Sequence, residues 1–207
     1  MTEPLVHVVD DDAALRRSVV FLTESVGWQV RDYASAEAFL ATADRTRPGC
    51  AVLDVRMPSM SGLELQRAMR EAGIALPVIF VTGHGDVSLA VQAMKEGALD
   101  MIEKPFRDQV LLDAIARGVR QSLAAFEAAA RHAALAELFA QLTPRERQVA
   151  RLVGLGQANK LIARELAISE KTVHIHRAHV LEKMGAHSAA ELARLLLVLD
   201  PGFGAGH

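Results

Sequence analysis

The stretch Ala51-Val52-Leu53-Asp54-Val55-Arg56-Met57-Pro58 leads an apolar run directly into a carboxylate and a turn. An uninterrupted apolar run of this length, preceded by Pro48-Gly49 and followed by Pro58, is typical of a strand that is buried on both faces of a parallel sheet. Asp54 would then lie at the carboxyl end of a central strand, where open α/β sheets bind ligands. Taken alone, such an aspartate is more simply a solvated residue that opens a turn, so the other strands must decide its role.

Four more short strands are predicted around this run, at residues 5–9, 28–33, 77–82 and 100–103. Each of the five strands is followed by an amphipathic helix, in which apolar residues recur at every third or fourth position. Residues suited to helix capping stand at the expected starts: Ser35, Ser61 with Glu64 three residues later, and Asp86. Five strands that alternate with five helices predict a doubly wound parallel sheet of the α/β class.

Polar residues follow these strands at one edge of the sheet. Asp10 and Asp11 end the first strand, Asp54 the third and Thr82 the fourth, and Lys104 follows the fifth. Three carboxylates that meet at one edge raise one another's pKa unless a cation joins them, and Mg²⁺ suits oxygen ligands while retaining waters that a phosphate can replace. Asp54 could then act as a nucleophile that forms an acyl phosphate. The metal, the Thr82 hydroxyl and the Lys104 ammonium would share the charge of the transferred phosphoryl group.

Residues 5 to 120 resemble the receiver domain of two-component response regulators, in particular the FixJ-type subgroup. Four runs carry the resemblance: Val-Asp-Asp at 9–11, Asp-Val-Arg-Met-Pro at 54–58, Thr-Gly-His-Gly-Asp at 82–86 and Glu-Lys-Pro-Phe at 103–106. The resemblance implies a flavodoxin-like fold in which Asp54 accepts a phosphoryl group from a histidine kinase. It also implies that Asp11, Asp54 and the backbone carbonyl of Arg56 hold Mg²⁺, with Asp10 reaching the metal through water.

The fifth strand departs from the family pattern at one position. Receivers of this kind couple the phosphoryl-contacting threonine to an aromatic residue that moves between two rotamers, and here Met101 stands at that position, three residues before Lys104. Methionine is flexible and can fill the space that Thr82 leaves, but it lacks a two-position ring. We predict that phosphorylated Asp54 pulls in Thr82 and that Met101 responds to this movement. The surface at about residues 86–106 is then reshaped, and two receivers pair there.

The chain has 207 residues, enough for two modest domains, and its charge is unevenly divided. Residues 1–125 carry 13 Lys and Arg against 17 Asp and Glu, whereas residues 142–199 carry 9 against 5, which suggests two different tasks. No apolar run approaches the roughly 18 residues of a membrane span. The start lacks the basic residues of a signal peptide, and the single Cys50 fits a reducing compartment, so we expect a cytoplasmic protein.

Residues 123–141 contain neither proline nor glycine and predict a helical linker that continues the helix after Arg107. Its apolar residues could form a coiled-coil seam with a second chain or pack onto the domains of the same chain: Leu123, Phe126, Leu135, Leu138 and Phe139. Beyond the linker, residues 142–200 predict four helices, the first beginning at Thr143-Pro144-Arg145-Glu146. Two short helices followed by a longer polar-faced helix after Ser169 are typical of a helix-turn-helix.

The helix after Ser169 has a buried stripe at Val173, Val180, Leu181 and Met184, so its opposite side would face the major groove of DNA. The residues predicted to contact bases or phosphates are Lys160, Lys171, Thr172, His174, Ile175, Arg177, Ala178 and Lys183. A merely solvated basic face is the alternative. A metal site at His174, His176 and His179 is a further alternative, but no cysteine or acidic residue completes the set.

Residues 142–200 resemble the LuxR-type DNA-binding domain, most clearly in the run 159–176. The resemblance implies a four-helix module that binds operator DNA as a dimer. We therefore expect a receiver domain at residues 1–122, a helical linker at 123–141 and a DNA-binding domain at 142–200.

Together these features predict a transcription factor that is controlled by phosphorylation of Asp54 and is not a turnover enzyme. Its expected partners are a histidine kinase, operator DNA, a second copy of the chain and RNA polymerase. A phosphatase of the haloacid-dehalogenase type would also form an aspartyl phosphate, but it needs a second aspartate two residues on, where this chain has Arg56. A ligand-sensing LuxR-type regulator is disfavoured because the first half leaves no room for an autoinducer pocket beside the receiver.

Overall fold

The computed structural model describes residues 3–83 and 87–204. The chain divides into two compact units, Met1–Phe126 and Glu127–His207. The division falls inside the segment 123–141, so the second unit includes most of the predicted linker. Each unit has its own hydrophobic core, and none of the described helices is long and apolar enough to cross a membrane.

A five-stranded parallel sheet forms the centre of the first unit. Its strands are β1 Leu5–Val9, β2 Gln29–Tyr33, β3 Gly49–Asp54, β4 Val78–Thr82 and β5 Asp100–Glu103. They are ordered β2-β1-β3-β4-β5, so β3 lies in the middle, and all of its residues are buried. The predicted doubly wound α/β fold is confirmed, and it brings the carboxyl ends of the strands to one edge.

Five helices follow the strands: α1 Ala13–Ser25, α2 Ala36–Thr42, α3 Gly62–Glu71, α4 Val87–Lys95 and α5 Asp108–Ala140. Caps explain where two of them begin. Ser35 accepts a hydrogen bond from the backbone N–H of Ala38, and Ser61 forms a complete capping box with Glu64. The predicted cap of α4, Asp86, lies outside the described residues.

Two apolar layers cover the two faces of the sheet, because successive side chains of a strand point to opposite faces. Leu53 and Phe80 belong to the layer beneath α2 and α3, whereas Val52 and Ile79 belong to the layer beneath α1 and α5. Gly62 allows α3 to begin against the end of β3, since a Cβ atom at this position would lie 2.3 Å from the carbonyl oxygen of Asp54.

A buried histidine lies within the first unit. His7 on β1 packs against the rings of Tyr33 and Phe39, and its Nδ1 lies 2.9 Å from the Tyr33 hydroxyl oxygen. Burial, and to a smaller extent the positive charge of Arg31, lowers the pKa of His7 to about 4. The imidazole is therefore neutral near pH 7.

Helix α5 is a single helix of 33 residues. Leu123 packs against the core of the first unit, and Leu138 and Phe139 pack against the core of the second. Phe126 remains 41 % exposed. Packing within the units therefore accounts for three of the residues that could have formed a coiled-coil seam.

Four further helices form the second unit together with the end of α5: α6 Pro144–Gly154, α7 Asn159–Glu165, α8 Glu170–Lys183 and α9 Ala189–Leu199. Thr143 and Glu146 form the predicted capping box of α6, and Ser169 and Ser188 cap α8 and α9. Helix α6 packs against α8 and α9, and α7 packs against α8. The predicted all-α, four-helix second domain is confirmed.

Candidate functional site

The carboxyl edge of the sheet gathers two buried aspartates around one lysine. Asp54 ends β3 and Asp10 follows β1, and the two residues are only 7 % and 5 % exposed. The Nζ atom of Lys104, which follows β5, lies 2.7 Å from Asp54 Oδ1 and 3.2 Å from Asp10 Oδ2. Three of the side chains predicted to meet at this edge are thus in direct contact.

Thr82 ends the strand next to that of Asp54. In the parallel register Asp54 pairs with Val81, one residue before Thr82. Thr82 is buried, and its carbonyl oxygen accepts a hydrogen bond of 2.7 Å from the backbone N–H of Lys104. The backbone therefore holds Thr82 and Lys104 together at the end of the sheet.

The cluster carries more negative than positive charge. Burial raises the pKa of the Asp10 carboxyl, and the charge of Asp54 also raises it, against the hydrogen bonds from Asp12 N–H and Lys104. Burial lowers the pKa of Lys104, but its hydrogen bond to Asp54 and the charges of Asp10 and Asp54 outweigh burial and raise it overall. Because two carboxylates share one ammonium, an additional cation would be stabilised here.

Asp11 and Arg56 complete the set that was predicted to bind metal. Asp11 is exposed, and the backbone N–H of Arg56 donates a 2.7 Å hydrogen bond to Asp54 Oδ2. Within residues 3–83 and 87–204, no three acidic, histidine or cysteine side chains are grouped closely enough to hold a metal ion. The carboxylate oxygens of Asp10, Asp11 and Asp54 suit Mg²⁺ chemically, but Asp11 would have to approach the two buried aspartates.

Two residues beside the cluster have roles that the motif pattern does not reveal. Asp12 accepts hydrogen bonds from the backbone N–H groups of Ala14 and Leu15 and so caps α1. Arg16 donates to the Asp10 carbonyl oxygen at 2.7 Å and to the Asp32 carboxylate at 2.8 Å. An arginine in the first turns of a helix that follows an acidic strand end is the signal that could have suggested this contact.

Met101 lies at the position predicted to respond to Thr82. It is partly buried, pairs with Phe80 in the register of β4 and β5, and packs against the core layer that contains Phe80. The register pairs Glu103, two residues later, with Thr82. Coupling between Thr82 and Met101 stays a prediction.

The exposed side of α8 carries the residues predicted to contact DNA bases. Val173 and Val180 are fully buried in the core of the second unit. Thr172 is partly buried, and four residues of the predicted reading surface are exposed: Lys171, His174, Ile175 and Ala178. This burial pattern is the one that a helix in the major groove requires, and the contacts themselves stay predictions.

The three basic residues predicted to meet phosphates have different surroundings. Lys160 on α7 is exposed, and Arg177 is partly buried and donates to Asn159 Oδ1 at 3.2 Å. The Nζ atom of Lys183 lies 2.9 and 2.7 Å from the two carboxylate oxygens of Glu146. This internal ion pair competes with the phosphate contact predicted for Lys183, and that contact stays a prediction.

Glu146 joins α6 to α8 through this ion pair. It is 3 % exposed and also accepts a 2.8 Å hydrogen bond from the backbone N–H of Thr143. The hydrogen bond from Lys183, followed by that from Thr143, lowers the pKa of Glu146 to about 2. The sequence pattern shows only its capping role, because nothing in it links Glu146 to a lysine 37 residues later.

The histidines of α8 are not grouped as a metal site within the described ranges. His179 Nδ1 lies 3.8 Å from Glu146 Oε1. The Nδ1 atom of His176 is buried and has no hydrogen-bond partner among the described residues.

Comparison with known proteins agrees with both units. Residues 6–116 match the response regulator receiver domain, and residues 140–196 match the bacterial regulatory proteins of the luxR family. Nodulation protein W of Bradyrhizobium diazoefficiens is 44 % identical over 206 residues, which are 100 % of this chain and 90 % of that protein. Transcriptional regulatory protein FixJ of Rhizobium meliloti is 46 % identical over 204 residues, 99 % of each chain. The chain belongs to the two-component response regulators.

Solved structures of response regulators resemble this one in both sequence and fold. The response regulator StyR has a TM-score of 0.86 at 41 % identity and covers 94 % of this chain and 98 % of its own. The FixJ-N structure has a TM-score of 0.54 at 49 % identity and covers 58 % of this chain and 96 % of its own. This response regulator therefore combines a receiver domain with a LuxR-type DNA-binding domain, and it is a DNA-binding transcriptional regulator controlled by phosphorylation.

Proposed function

We propose that Asp54 of this response regulator accepts a phosphoryl group from a cognate histidine kinase and that the phosphorylated chain binds operator DNA as a dimer. One observation carries the assignment of the acceptor. Lys104 Nζ lies 2.7 Å from Asp54 Oδ1, at the end of the central strand and beside a second buried carboxylate. A cation is thus already in place where negative charge collects during phosphoryl transfer.

The transfer needs few protein groups. A carboxylate oxygen of Asp54 attacks the phosphorus of a phosphohistidine, the P–N bond breaks as the O–P bond forms, and the released imidazole nitrogen takes a proton. Once Asp54 is an acyl phosphate, the ammonium of Lys104 pairs with a phosphoryl oxygen. The hydroxyl of Thr82 donates a hydrogen bond to another phosphoryl oxygen.

Mg²⁺ is the cofactor that we assign to this edge of the sheet. The excess of carboxylates over ammonium groups favours a further cation, and all the available donors are oxygen atoms. Asp11, Asp54 and the backbone carbonyl of Arg56 would hold the metal, with Asp10 reaching it through water. When bound, Mg²⁺ neutralises part of the charge on the phosphoryl oxygens.

The phosphoryl group acts on the rest of the chain through Thr82. Movement of Thr82 toward the phosphate changes the packing at Met101 and the surface of α4 and β5. Val91 and Met94 on α4 are 47 % and 50 % exposed and supply apolar area for a second receiver. The dimer then presents two α8 helices to half-sites about one DNA turn apart, roughly 34 Å.

The second unit makes the contacts with DNA. Lys160 and Arg177 meet phosphates, and the exposed residues of α8 read the operator: Lys171, Thr172, His174, Ile175 and Ala178. The bound dimer regulates transcription through RNA polymerase, in the cytoplasm.

The chain is not a turnover enzyme. The acyl phosphate at Asp54 is the form that acts on the rest of the chain, so its hydrolysis to the free carboxylate and phosphate ends the signal and serves no separate substrate. A phosphatase of the haloacid-dehalogenase type is disfavoured because Arg56 stands two residues after Asp54, where that mechanism needs an acid.

Acetyl phosphate with Mg²⁺ provides a direct test. We expect the intact mass to rise by one phosphoryl group, light scattering to report a dimer, and binding to genomic fragments selected by the protein to tighten. Asp54→Asn should remove all three effects. Asp12→Asn should keep them, because Asp12 caps α1 instead of joining the cluster. Phosphorylation of Asp54→Asn to the normal extent would refute the assignment, and a phosphorylated chain with unchanged assembly and DNA affinity would refute the mechanism of control.

A further inference from the structure

A groove in the second unit takes no part in the functions described above. It has a volume of about 380 Å³ and lies among the end of α5, helices α6 and α9, and the turn after α9. Apolar side chains form most of its wall: Ala136, Phe139, Leu196, Leu199 and Phe203. This volume, an apolar wall and a few polar groups are the usual properties of small-molecule sites, which also occur between packed helices.

The wall of the groove formed by Leu196 and Phe203 is closely packed against α6. A Cβ atom at Gly154 would lie 2.8 Å from Leu196 Cδ1 and 2.9 Å from Phe203 Cζ, so the ends of these two side chains would have to shift if another residue stood here. Phe203 also packs against the core of the second unit, and its backbone N–H donates to the Asp200 carbonyl at 2.9 Å. Packed side chains therefore form one wall of the groove, next to its polar residues.

Two arginines of α6 line the groove from the same side of the helix, because they are four residues apart. Arg147 is fixed in position by a 2.8 Å hydrogen bond to the Ala140 carbonyl, and its guanidinium lies 5.7 Å from the centroid of the Phe139 ring. The side chain of Arg151 makes no hydrogen bond or ion pair with any other residue in the ranges 3–83 and 87–204. One guanidinium is thus held in place and the other is available.

The remaining polar residues of the groove are His132 and Asp200. Asp200 Oδ1 accepts a 3.0 Å hydrogen bond from the backbone N–H of Gly202. Two guanidiniums against one carboxylate leave the groove with an excess of positive charge, which attracts an anion and repels a cation.

We propose that this groove binds a small molecule with one carboxylate and an apolar body, for example a medium-chain fatty acid. Arg151 receives the carboxylate, because a guanidinium matches its two oxygens with parallel hydrogen bonds. The apolar body lies along Phe139, Leu199 and Phe203 and is removed from water. A bound molecule contacts α5, α6 and α9 together, and it stabilises the second unit more as its free concentration rises above the Kd.

Calorimetric titration of the full chain with sodium decanoate, kept below its micellar concentration, tests the site. Calorimetry is preferred because the single Trp28 and the single Tyr33 both lie in the first unit, so intrinsic fluorescence does not report on the groove. We expect saturable binding with one molecule per chain. Arg151→Glu should weaken it about ten- to a hundredfold, the usual effect of losing hydrogen bonds to a charged group.

Two controls separate charge from shape. Arg194→Glu makes the same charge change at an exposed position of α9 outside the groove and should leave decanoate affinity unchanged. Ala136→Trp fills the groove without changing charge and should abolish binding of decanoate. If circular dichroism shows that Arg151→Glu is unfolded, Ala136→Trp still tests whether decanoate binds in the groove. Decanol should bind at least about tenfold more weakly than decanoate, because it lacks the anionic group.

Three results would overturn the proposal: no saturable binding of decanoate, equal affinities for decanol and decanoate, or undiminished binding to Ala136→Trp. Equal weakening by Arg151→Glu and Arg194→Glu would also overturn it, because the effect would then follow net charge. The phosphorylation of Asp54 does not enter any of these measurements.

Discussion

Two lysines of this chain lie against buried carboxylates, and their surroundings differ. Lys104 is shared between Asp54 and Asp10, at 2.7 and 3.2 Å. Lys183 binds both oxygens of Glu146, at 2.9 and 2.7 Å, and Glu146 also accepts the N–H of Thr143. At the sheet edge two acids compete for one ammonium, whereas in the second unit one acid has all the donors it needs.

On the proposed function, the ion pair at the sheet edge changes with phosphorylation, whereas the ion pair of Glu146 and Lys183 joins α6 to α8. The cluster at the sheet edge is incompletely neutralised, so it is stabilised when a metal ion or a rearranged phosphoryl group improves its charge balance. A buried network in which every polar group has a partner is destabilised when any member is removed, because the remaining polar groups are left without partners. A lysine paired with a carboxylate is therefore proposed to serve chemistry in one unit, and in the other it joins α8 to α6.

Exchange of each lysine for methionine should give the largest difference. Lys104→Met removes the cation that stabilises the phosphoryl oxygens, so we expect the initial rate of phosphorylation by acetyl phosphate to fall about a hundredfold or more. Lys183→Met should leave this rate unchanged, because its partner Glu146 lies in the other unit. Mass spectrometric time courses measure both rates. Equal losses in the two variants would contradict the assignment of the chemistry to the sheet edge.

Removal of Glu146 should have the largest effect on the stability of the second unit. Glu146→Ala deletes the capping-box acceptor and leaves Lys183 without its partner, so we expect the free energy of unfolding of this unit to fall by about 2 kcal/mol. Urea unfolding followed by far-ultraviolet circular dichroism measures the loss, while Trp28 fluorescence monitors the first unit. Glu182→Ala changes an exposed acid of α8 and should have little effect; a comparable loss there would argue against a special role for the ion pair.

Acid should weaken the two units in different pH ranges. The pKa of His7 is lowered from 6.5 to about 4, so its neutral form contributes stability above pH 6.5 that is lost as the pH falls toward 4. The pKa of Glu146 is lowered from 4.5 to about 2, so its contribution is lost only between pH 4.5 and 2. Trp28 fluorescence should therefore report weakening at a higher pH than the part of the far-ultraviolet circular dichroism that does not follow Trp28 fluorescence.

Glu146→Gln serves as the matched variant for this pH series. It should make the stability of the second unit less dependent on pH between 4.5 and 2, and it should leave the pH dependence of the first unit unchanged. If the second unit unfolds at a higher pH than the first as the solution is acidified, groups other than His7 and Glu146 control stability in acid.

The smallest expected effect concerns the phosphate contacts of the second unit. Lys160→Ala should weaken binding of the phosphorylated protein to all DNA sequences and reduce the slope of log affinity against log salt by about 0.9, the contribution of one neutralised phosphate. Lys183→Met should not change the slope, since its ammonium is paired with Glu146. An equal decrease in both variants would restore Lys183 to the DNA interface.

Local sequence patterns were sufficient for most of the fold and for the centre of the site. The capping boxes at Ser61 and Thr143 form as predicted, because they depend on residues only three positions apart. Asp54 and Lys104 meet because parallel strands bring their carboxyl ends to one edge, a consequence of topology that alternating strands and helices already imply.

The features that the sequence does not predict depend on how the helices and strands pack and on how the chain leaves a strand. The ion pair of Lys183 with Glu146 is absent from the sequence prediction, because the two residues belong to different helices and no periodicity connects them. The contact of Arg16 with the Asp10 carbonyl follows no local pattern, because it depends on how α1 leaves the strand. Asp11 is exposed although its neighbour Asp10 is buried, since adjacent residues at a strand end take opposite directions.

Gly62 limits which residues can stand beside the end of the strand that carries Asp54. A methyl group at this position would overlap the Asp54 carbonyl at 2.3 Å and touch the Phe80 ring at 3.0 Å, so even alanine would displace either α3 or the acceptor strand. In a library of all single substitutions, codon 62 should accept glycine alone, although it encodes no atom that meets the phosphoryl group. If α8 reads the operator as proposed, its exposed residues can be exchanged to change the operator while glycine is kept at position 62.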